Sequence, residues 1–215
     1  MTPNEFDAVS ARFDRVAEQW DSKPERVALA RAVTGAIRKT VPLRPDMNVM
    51  DFGAGTGLVT LGILPFVGRL TAVDTSAEMR RVLNEKLNAL RIENVHIRPP
   101  DSDNHPLPHA DFDLVVSSMV LHHLPDVPLT LRQFHSNLRA GGWIALADLD
   151  AEDGTFHSDP TGIVHNGFDR DEVGRWLQTA GFVEIRSQDA HRMERSSSDG
   201  IKRNYTVFLI TGRAK

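Results

Sequence analysis

Apolar residues recur at helical spacing at the start of the chain, where Phe6, Val9, Phe13, Val16 and Trp20 fall on one stripe. Ser22-Lys23-Pro24-Glu25 reads as a capping box, with Pro24 in the first turn where a missing N–H costs little. A second helix is predicted from there to about Thr40, ended by Pro42 and Pro45. From Met47 the pattern changes to short apolar runs separated by helical stretches. Strands are predicted over 47–52, 70–74, 94–98, 112–118 and 143–149. Between them a helix is predicted over 58–67, and another from a Thr75/Glu78 capping box to about Leu90. Asp126 caps a helix carrying Val127, Leu131, Phe134 and Leu138 on one face, closed by Gly141-Gly142. Asp169 caps another with Val173, Trp176, Leu177 and Ala180 inward, stopped by Gly181. The last two strands, 182–187 and 205–210, have no helix between them, and the serine-rich stretch 195–200 reads as a mobile loop.

Strand–helix alternation predicts an α/β fold, a mostly parallel sheet with helices on both faces. The helix-free last connection predicts an antiparallel hairpin at its edge. Residues 1–45 form N-terminal helices, a cap or lid, on a ligand-binding domain over 46–215, one domain overall. The 215 residues are 40% hydrophobic and 25% charged, enough for one buried core. A net charge of -4 shows no basic bias, so no nucleic-acid partner held mainly by charge is expected. The lack of cysteine excludes disulfides, thiolate metal sites and cysteine nucleophiles. The first twenty residues carry charges and no signal-peptide core, and no run approaches the roughly 18 apolar residues of a membrane span. A cytoplasmic protein is expected, and the oligomeric state is not legible.

The densest chemical signal is Val49-Met50-Asp51-Phe52-Gly53-Ala54-Gly55-Thr56-Gly57, a strand entering a glycine turn and then a helix. Such glycines let a ligand lie against bare backbone, although the same turn serves purely structural ends. The spacing is G-x-G-x-G, not the G-x-G-x-x-G of dinucleotide sites, and Asp51 precedes it closely. No P-loop lysine follows, which disfavours a nucleoside triphosphate. Asp74 ends the second strand near the offset of ribose-binding acids, where a carboxylate can accept from both ribose hydroxyls. Its other reading is a cap for the helix that begins near Thr75.

With these features in order, the chain resembles the class I S-adenosylmethionine (SAM)-dependent methyltransferases. The glycine turn, Asp74, Phe112-Asp113-Leu114-Val115-Val116-Ser117-Ser118 and Leu138-Arg139-Ala140-Gly141-Gly142-Trp143 carry the resemblance. It is nearest the small-molecule group that includes ubiquinone and menaquinone C-methyltransferases; Phe13-Asp14 and Ala17-Glu18-Gln19-Trp20-Asp21 are similar to that group's opening helix. The resemblance implies a Rossmann-like seven-stranded sheet with an antiparallel seventh strand, SAM as methyl donor and S-adenosylhomocysteine as product. It implies that Gly53, Ala54, Gly55, Thr56 and Gly57, with Asp51 before them, border the methionine part of SAM. It likewise implies that Asp74, with Thr75 beside it, holds the ribose, that Met79 packs near the adenine and Asp101 with Ser102 contacts its edge, and that Ser117 and Ser118 lie near the sulfonium. Pro99-Pro100 before Asp101 and Ala140 in place of a frequent proline depart from the family pattern.

Past the fourth strand, His122 and His123 are candidate general bases, or else one packing residue and one turn residue. The acid- and histidine-rich segment after the fifth strand (Asp148, Asp150, Glu152, Asp153, His157, Asp159, His165) matches no metal spacing; no metal is assigned. It reads instead as a polar loop over the substrate cleft, with His165 the substrate-side candidate and Asp148 a further possible base. Trp20 is either packing or an aromatic face for the sulfonium. The acceptor is expected to be a small molecule. The alternatives are an RNA or protein methyltransferase, a nicotinamide-dependent oxidoreductase and a non-catalytic SAM-binding protein.

Overall fold

The computed structural model describes residues 3–100, 112–196 and 200–215. The N-terminal stripe folds as α1 (Pro3–Val16), which tightens into a 3-10 segment over Ala17–Ser22. α2 (Pro24–Thr40) follows with Pro24 in its first turn. The expected capping box does not form there. Ser22 still belongs to the tightened turn, so its hydroxyl donates back to the Gln19 carbonyl at 2.6 Å, and Lys23 takes the cap position without a side-chain bond.

Seven strands make one sheet: β1 (Asn48–Phe52), β2 (Arg69–Val73), β3 (Val95–Arg98), β4 (Phe112–Ser118), β5 (Leu138–Leu149), β6 (Phe182–Ser196) and β7 (Lys202–Ala214). Their order is β3-β2-β1-β4-β5-β7-β6, with β1 to β5 parallel and β7 antiparallel to both neighbours. The expected fold class therefore holds. Alternate strand residues serve opposite faces. Val49, Ala72, Leu114, Ala145 and Leu209 pack with α2, α3 (Leu58–Ile63) and α4 (Ala77–Leu90). Met50, Val73, Val115, Leu146 and Phe208 pack with α5 (Val127–Asn137) and α6 (Arg170–Thr179). The strand order reverses between β1 and β4, and in such sheets the crevice at the carboxyl ends beside that switch is where ligands bind. Among the described residues no helix is long and apolar enough to cross a membrane.

Four boundaries differ from expectation. The helix expected over 58–67 ends at Ile63 and continues as a 3-10 turn over Leu64–Phe66, which contains Pro65. The cap of α4 is Ser76, whose Oγ accepts from Met79 N–H at 3.1 Å, while Glu78 pairs with Arg81 at 2.8 Å and does not reach back toward Thr75. β5 begins at Leu138, paired with Phe112, so Gly141-Gly142 lies inside an irregular strand. The last hairpin runs well past the sheet, pairing as far as Ser196 with Lys202; of the loop expected over 195–200, residues 197–199 lie outside the described residues. The extension has tertiary support. Tyr205 is buried with its ring 5.0 Å from Phe156, and Gln188 donates to Thr40 Oγ1 at 2.9 Å.

Candidate active site

β1 ends in the glycine turn. Gly53 and Ala54 N–H both donate to the Val73 carbonyl, at 2.8 and 3.0 Å, which sews the turn to the end of β2. A methyl group at Gly53 would overlap Val120, and one at Gly57 would overlap Leu83. At Gly55 it would meet only Met79 Sδ, at 4.0 Å, so bare backbone faces open space there. Asp74 braces the same point: Oδ2 accepts from Gly55 N–H at 2.7 Å and Oδ1 from Ser76 N–H at 2.9 Å. One oxygen thus serves the start of α4 and the other the turn. Each oxygen keeps a second lone pair for a ligand. Burial raises the Asp74 carboxyl above its ordinary pKa, although the Ser76 and Gly55 N–H groups oppose it.

The other residues named from sequence fall in distinct places. Asp51 is buried between β1 and α3, accepting from Thr60 Oγ1 at 2.6 Å, and burial pushes its pKa up to about 7. Thr56 Oγ1 donates to Asp21 at 2.6 Å. Met79 is buried on the open side of Gly55. Thr75 is exposed, and its carbonyl accepts from Arg80 at 2.9 Å. Ser117 Oγ donates to the Phe52 carbonyl at 2.9 Å, next to the turn, and Ser118 ends β4. Asp101 and Ser102 lie outside the described residues.

Beside Val120, which covers Gly53, stands a group of histidines. His122 is buried; its Nδ1 lies 2.7 Å from Asp148 Oδ1, and its N–H donates to Asp148 Oδ2 at 3.3 Å. Its ring centre lies 4.2 Å from that of His123 and 4.9 Å from that of His157. His123 Nδ1 bonds the Gly162 carbonyl at 2.7 Å. The three rings are tilted against one another, with interplanar angles of 46° and 40° from His122 to His123 and His157, and among the described residues no group of three or more metal-ligating side chains is arranged to hold an ion. Burial, with the charge of His122 next, pulls the His157 pKa down to about 3 and that of His123 to about 4. Burial alone would raise Asp148, but the His122 ring and three hydrogen bonds outweigh it and hold the carboxylate below its ordinary pKa. His165 sits apart from these rings: Nε2 bonds the Leu124 carbonyl at 3.0 Å and the ring leans on Phe168.

The N-terminal segment crosses the crevice. Asp14 Oδ1 accepts from Ser76 Oγ at 2.5 Å and from Glu78 N–H at 3.1 Å, adding a second cap to α4. Asp21 holds Thr56 and Lys86, and Lys86 also donates to the Thr56 carbonyl at 2.7 Å. Between these anchors Phe13 stands edge-on to Trp20 and to His123, with ring centres 5.7 and 5.3 Å away. Sequence reasoning did not single out Asp14, Asp21, Lys86 or Arg12. The signal for two of them was present in Phe13-Asp14 and Trp20-Asp21, where an acid follows each stripe aromatic. His157 was visible only as one member of an acid-rich loop.

A sheet with its switch point at a glycine turn, a carboxylate from the next strand on that turn and a reversed seventh strand together define the class I methyltransferase fold. Residues 20–188 match the family described as "Methyltransferase domain". The uncharacterized methyltransferase YcgJ of Bacillus subtilis is 29% identical over 136 residues, covering 63% of this chain and 53% of that protein. Its crystal structure superposes with a TM-score of 0.70 at 20% identity, over 85% of this chain and 98% of that one. A malonyl-[acyl-carrier protein] O-methyltransferase of Halorhodospira halophila is 29% identical over 203 residues, 86% of this chain and 66% of that protein. A Haemonchus contortus phosphoethanolamine N-methyltransferase solved in complex with SAM has a TM-score of 0.68 at 13% identity, over 94% of this chain and 60% of that one. The chain belongs to the methyltransferase domain family. It spans about half the length of the first curated relatives it matches.

Proposed function

We propose that this protein moves a methyl group from SAM to a small-molecule acceptor, with His122 taking the acceptor's proton. The observation that carries the reading is the bracing of α1 and its 3-10 extension over the glycine turn, by Asp14 to the start of α4 and by Asp21 to Thr56 of the turn and Lys86 of α4. Phe13 and Trp20 then wall the space in front of the histidines, a setting suited to a small acceptor shielded from water.

The residues fit the cofactor. Gly55 offers open backbone, Asp74 has lone pairs to spare for ribose hydroxyls, and Met79 lines the same side. Bound SAM supplies a methyl group already activated on a sulfonium. What remains for the chain is alignment and proton removal. Alignment of this kind lowers a barrier by several kcal/mol, up to about 7–11 in the best cases. Asp148 accepts the Nδ1 proton of His122, which leaves Nε2 as the basic nitrogen. As the methyl group passes to the acceptor and its bond to sulfur breaks, releasing the neutral thioether, the acceptor's proton would pass to Nε2 of His122, and Asp148 would stabilise the resulting imidazolium. His123 and His157, neutral at pH 7 and beside His122, supply hydrogen bonds without competing charge. His165, bonded to Leu124, positions the loop rather than the proton.

Calorimetry with S-adenosylhomocysteine tests the cofactor half: the native protein binds, and Asp74→Ala weakens binding at least about tenfold, ~1.4 kcal/mol. Equal affinity in both proteins refutes the ribose assignment. Labelled SAM with a small-metabolite extract tests the other half. Label recovered only in RNA or protein, or SAM bound without turnover, refutes the small-molecule reading.

A further inference from the structure

Three arginines lie on the aromatic rings linked to the histidines, and the reading above uses none of them. Contacts run in a closed circuit. The Arg26 guanidinium, at the start of α2, lies 3.6 Å from the centre of the Trp20 ring. Trp20 meets Phe13, Phe13 meets His123, and Arg12 lies 5.9 Å from the centre of the Phe13 ring. His123 neighbours His157, whose ring centre lies 4.8 Å from Phe156, and the Arg195 guanidinium sits 4.4 Å from the Phe156 centre. The circuit closes electrostatically: burial first, then the like charges of Arg195 and Arg12, depress the Arg26 pKa, opposed by Glu25 and Asp21.

Three guanidinium groups around one site need a reason. Arg12 has a counter-charge in Asp159 at 3.3 Å and also donates to the Thr161 carbonyl at 2.6 Å. Arg26 donates only to the Trp20 carbonyl, at 3.3 Å, and Arg195 lies on Phe156; neither is within ion-pair distance of a carboxylate among the described residues. Asp21 is committed to Thr56 and Lys86. Arg195 reaches this place because the last hairpin continues past the sheet and its outer part packs on Phe156 through Tyr205. Gathering like charges costs free energy unless an anion neutralises them, and a planar guanidinium suits an oxyanion in particular.

We propose that the methyl acceptor carries an oxyanion, a carboxylate or phosphate, held by Arg26 and Arg195 with Arg12 beside them, while its reacting atom faces His122. The proposal rests on the methyltransferase reading above and adds the charge of the acceptor. The aromatic faces of Trp20, Phe13 and Phe156 would flank the apolar part of such a molecule. Its uncharged, deprotonable end would lie toward His122, flanked by His123 and His157, whose lowered pKa values keep them neutral at pH 7.

The test uses the full chain at constant ionic strength, with malonate and inorganic phosphate as probes and chloride as reference. Binding is read by calorimetry in the presence of S-adenosylhomocysteine. Malonate or phosphate binds measurably while chloride does not, and Arg195→Gln or Arg26→Gln weakens that binding at least tenfold. S-adenosylhomocysteine affinity stays within about twofold in both variants. Preference for malonate assigns a carboxylate, and preference for phosphate a phosphate ester. Arg195 lies on the outer hairpin away from the sheet, so Arg195→Gln keeps the test decisive if Arg26→Gln fails to fold. Oxyanions that bind no better than chloride, or that bind the two variants as tightly as the native protein, overturn the proposal. So does tighter binding of an RNA oligonucleotide that the same substitutions abolish. Loss of S-adenosylhomocysteine binding by the native protein overturns instead the methyltransferase reading on which this one rests.

Discussion

Gly55 gives the sharpest way to ask where the cofactor lies. Its φ is +56°, the left-handed region, so alanine there costs about 1–2 kcal/mol of folding stability through backbone strain alone. No overlap adds to that cost, because the new methyl would meet only Met79 Sδ at 4.0 Å. Gly57, two residues on, has φ +85° and a completely buried neighbour, Leu83, in the way of a methyl. Strain plus overpacking makes Gly57→Ala cost about 2–5 kcal/mol. The two substitutions should therefore separate stability from binding. Gly55→Ala unfolds at only slightly lower urea, yet loses S-adenosylhomocysteine affinity by more than tenfold, since its methyl enters the space a cofactor on the turn would take. Gly57→Ala loses mainly stability. Urea titration and calorimetry on the same samples provide both readings. Native-like affinity in Gly55→Ala would refute the placement of the cofactor against this turn, whatever the stability result.

Three further outcomes follow from the same contacts. His122→Gln and Asp148→Asn should each cut turnover at least about a hundredfold, within the range for general-base catalysis, and leave S-adenosylhomocysteine affinity nearly unchanged; equal kcat against native protein at pH 7.5 would remove both from the chemistry. His157, with a folded pKa near 3, resists the proton that the unfolded chain accepts below about 6.5, so stability drains as pH falls through that window. Asp51, raised to about 7, takes up a proton in the folded state over the same range and works in the opposite direction, so the test is a difference between proteins. His157→Leu should lose about 1–2 kcal/mol less than the native chain between pH 7.5 and 5 in urea unfolding, after allowing for partial exposure, and parallel pH profiles would argue against a buried neutral ring. Finally, Asp21→Ala frees Thr56 and Lys86 and should speed proteolytic cleavage within the first 25 residues, while added S-adenosylhomocysteine slows it in the native protein; no protection by the ligand would mean that these helices do not close over the site.

Much of the architecture was legible in the order of residues because short-range physics decides it. Strand–helix alternation, the caps at Asp126 and Asp169 and the glycine turn each follow from patterns within a few residues, and all three stand in the structure. The first misreadings were local contests: Ser22 and Ser76 had competing partners, and which backbone group each hydroxyl met depended on the exact turn. The histidine group could be anticipated only in part. His122 and His123 adjoin in sequence, but His157 reaches them through a loop, and His165, chosen for its place in that loop, turns away to Leu124.

By itself, then, the sequence determined the strand order's ingredients, the family resemblance and the glycine turn, since each is written in spacing and residue type over a short span. Only the tertiary structure decided which acid orients His122, what anchors α1, and that Arg12, Arg26 and Arg195 each lie on an aromatic ring of the group linked to the histidines. Those pairs lie from about 26 to about 183 residues apart along the chain. No local preference encodes such distances; the sheet brings the segments together, and burial then selects the partners that satisfy one another's charge.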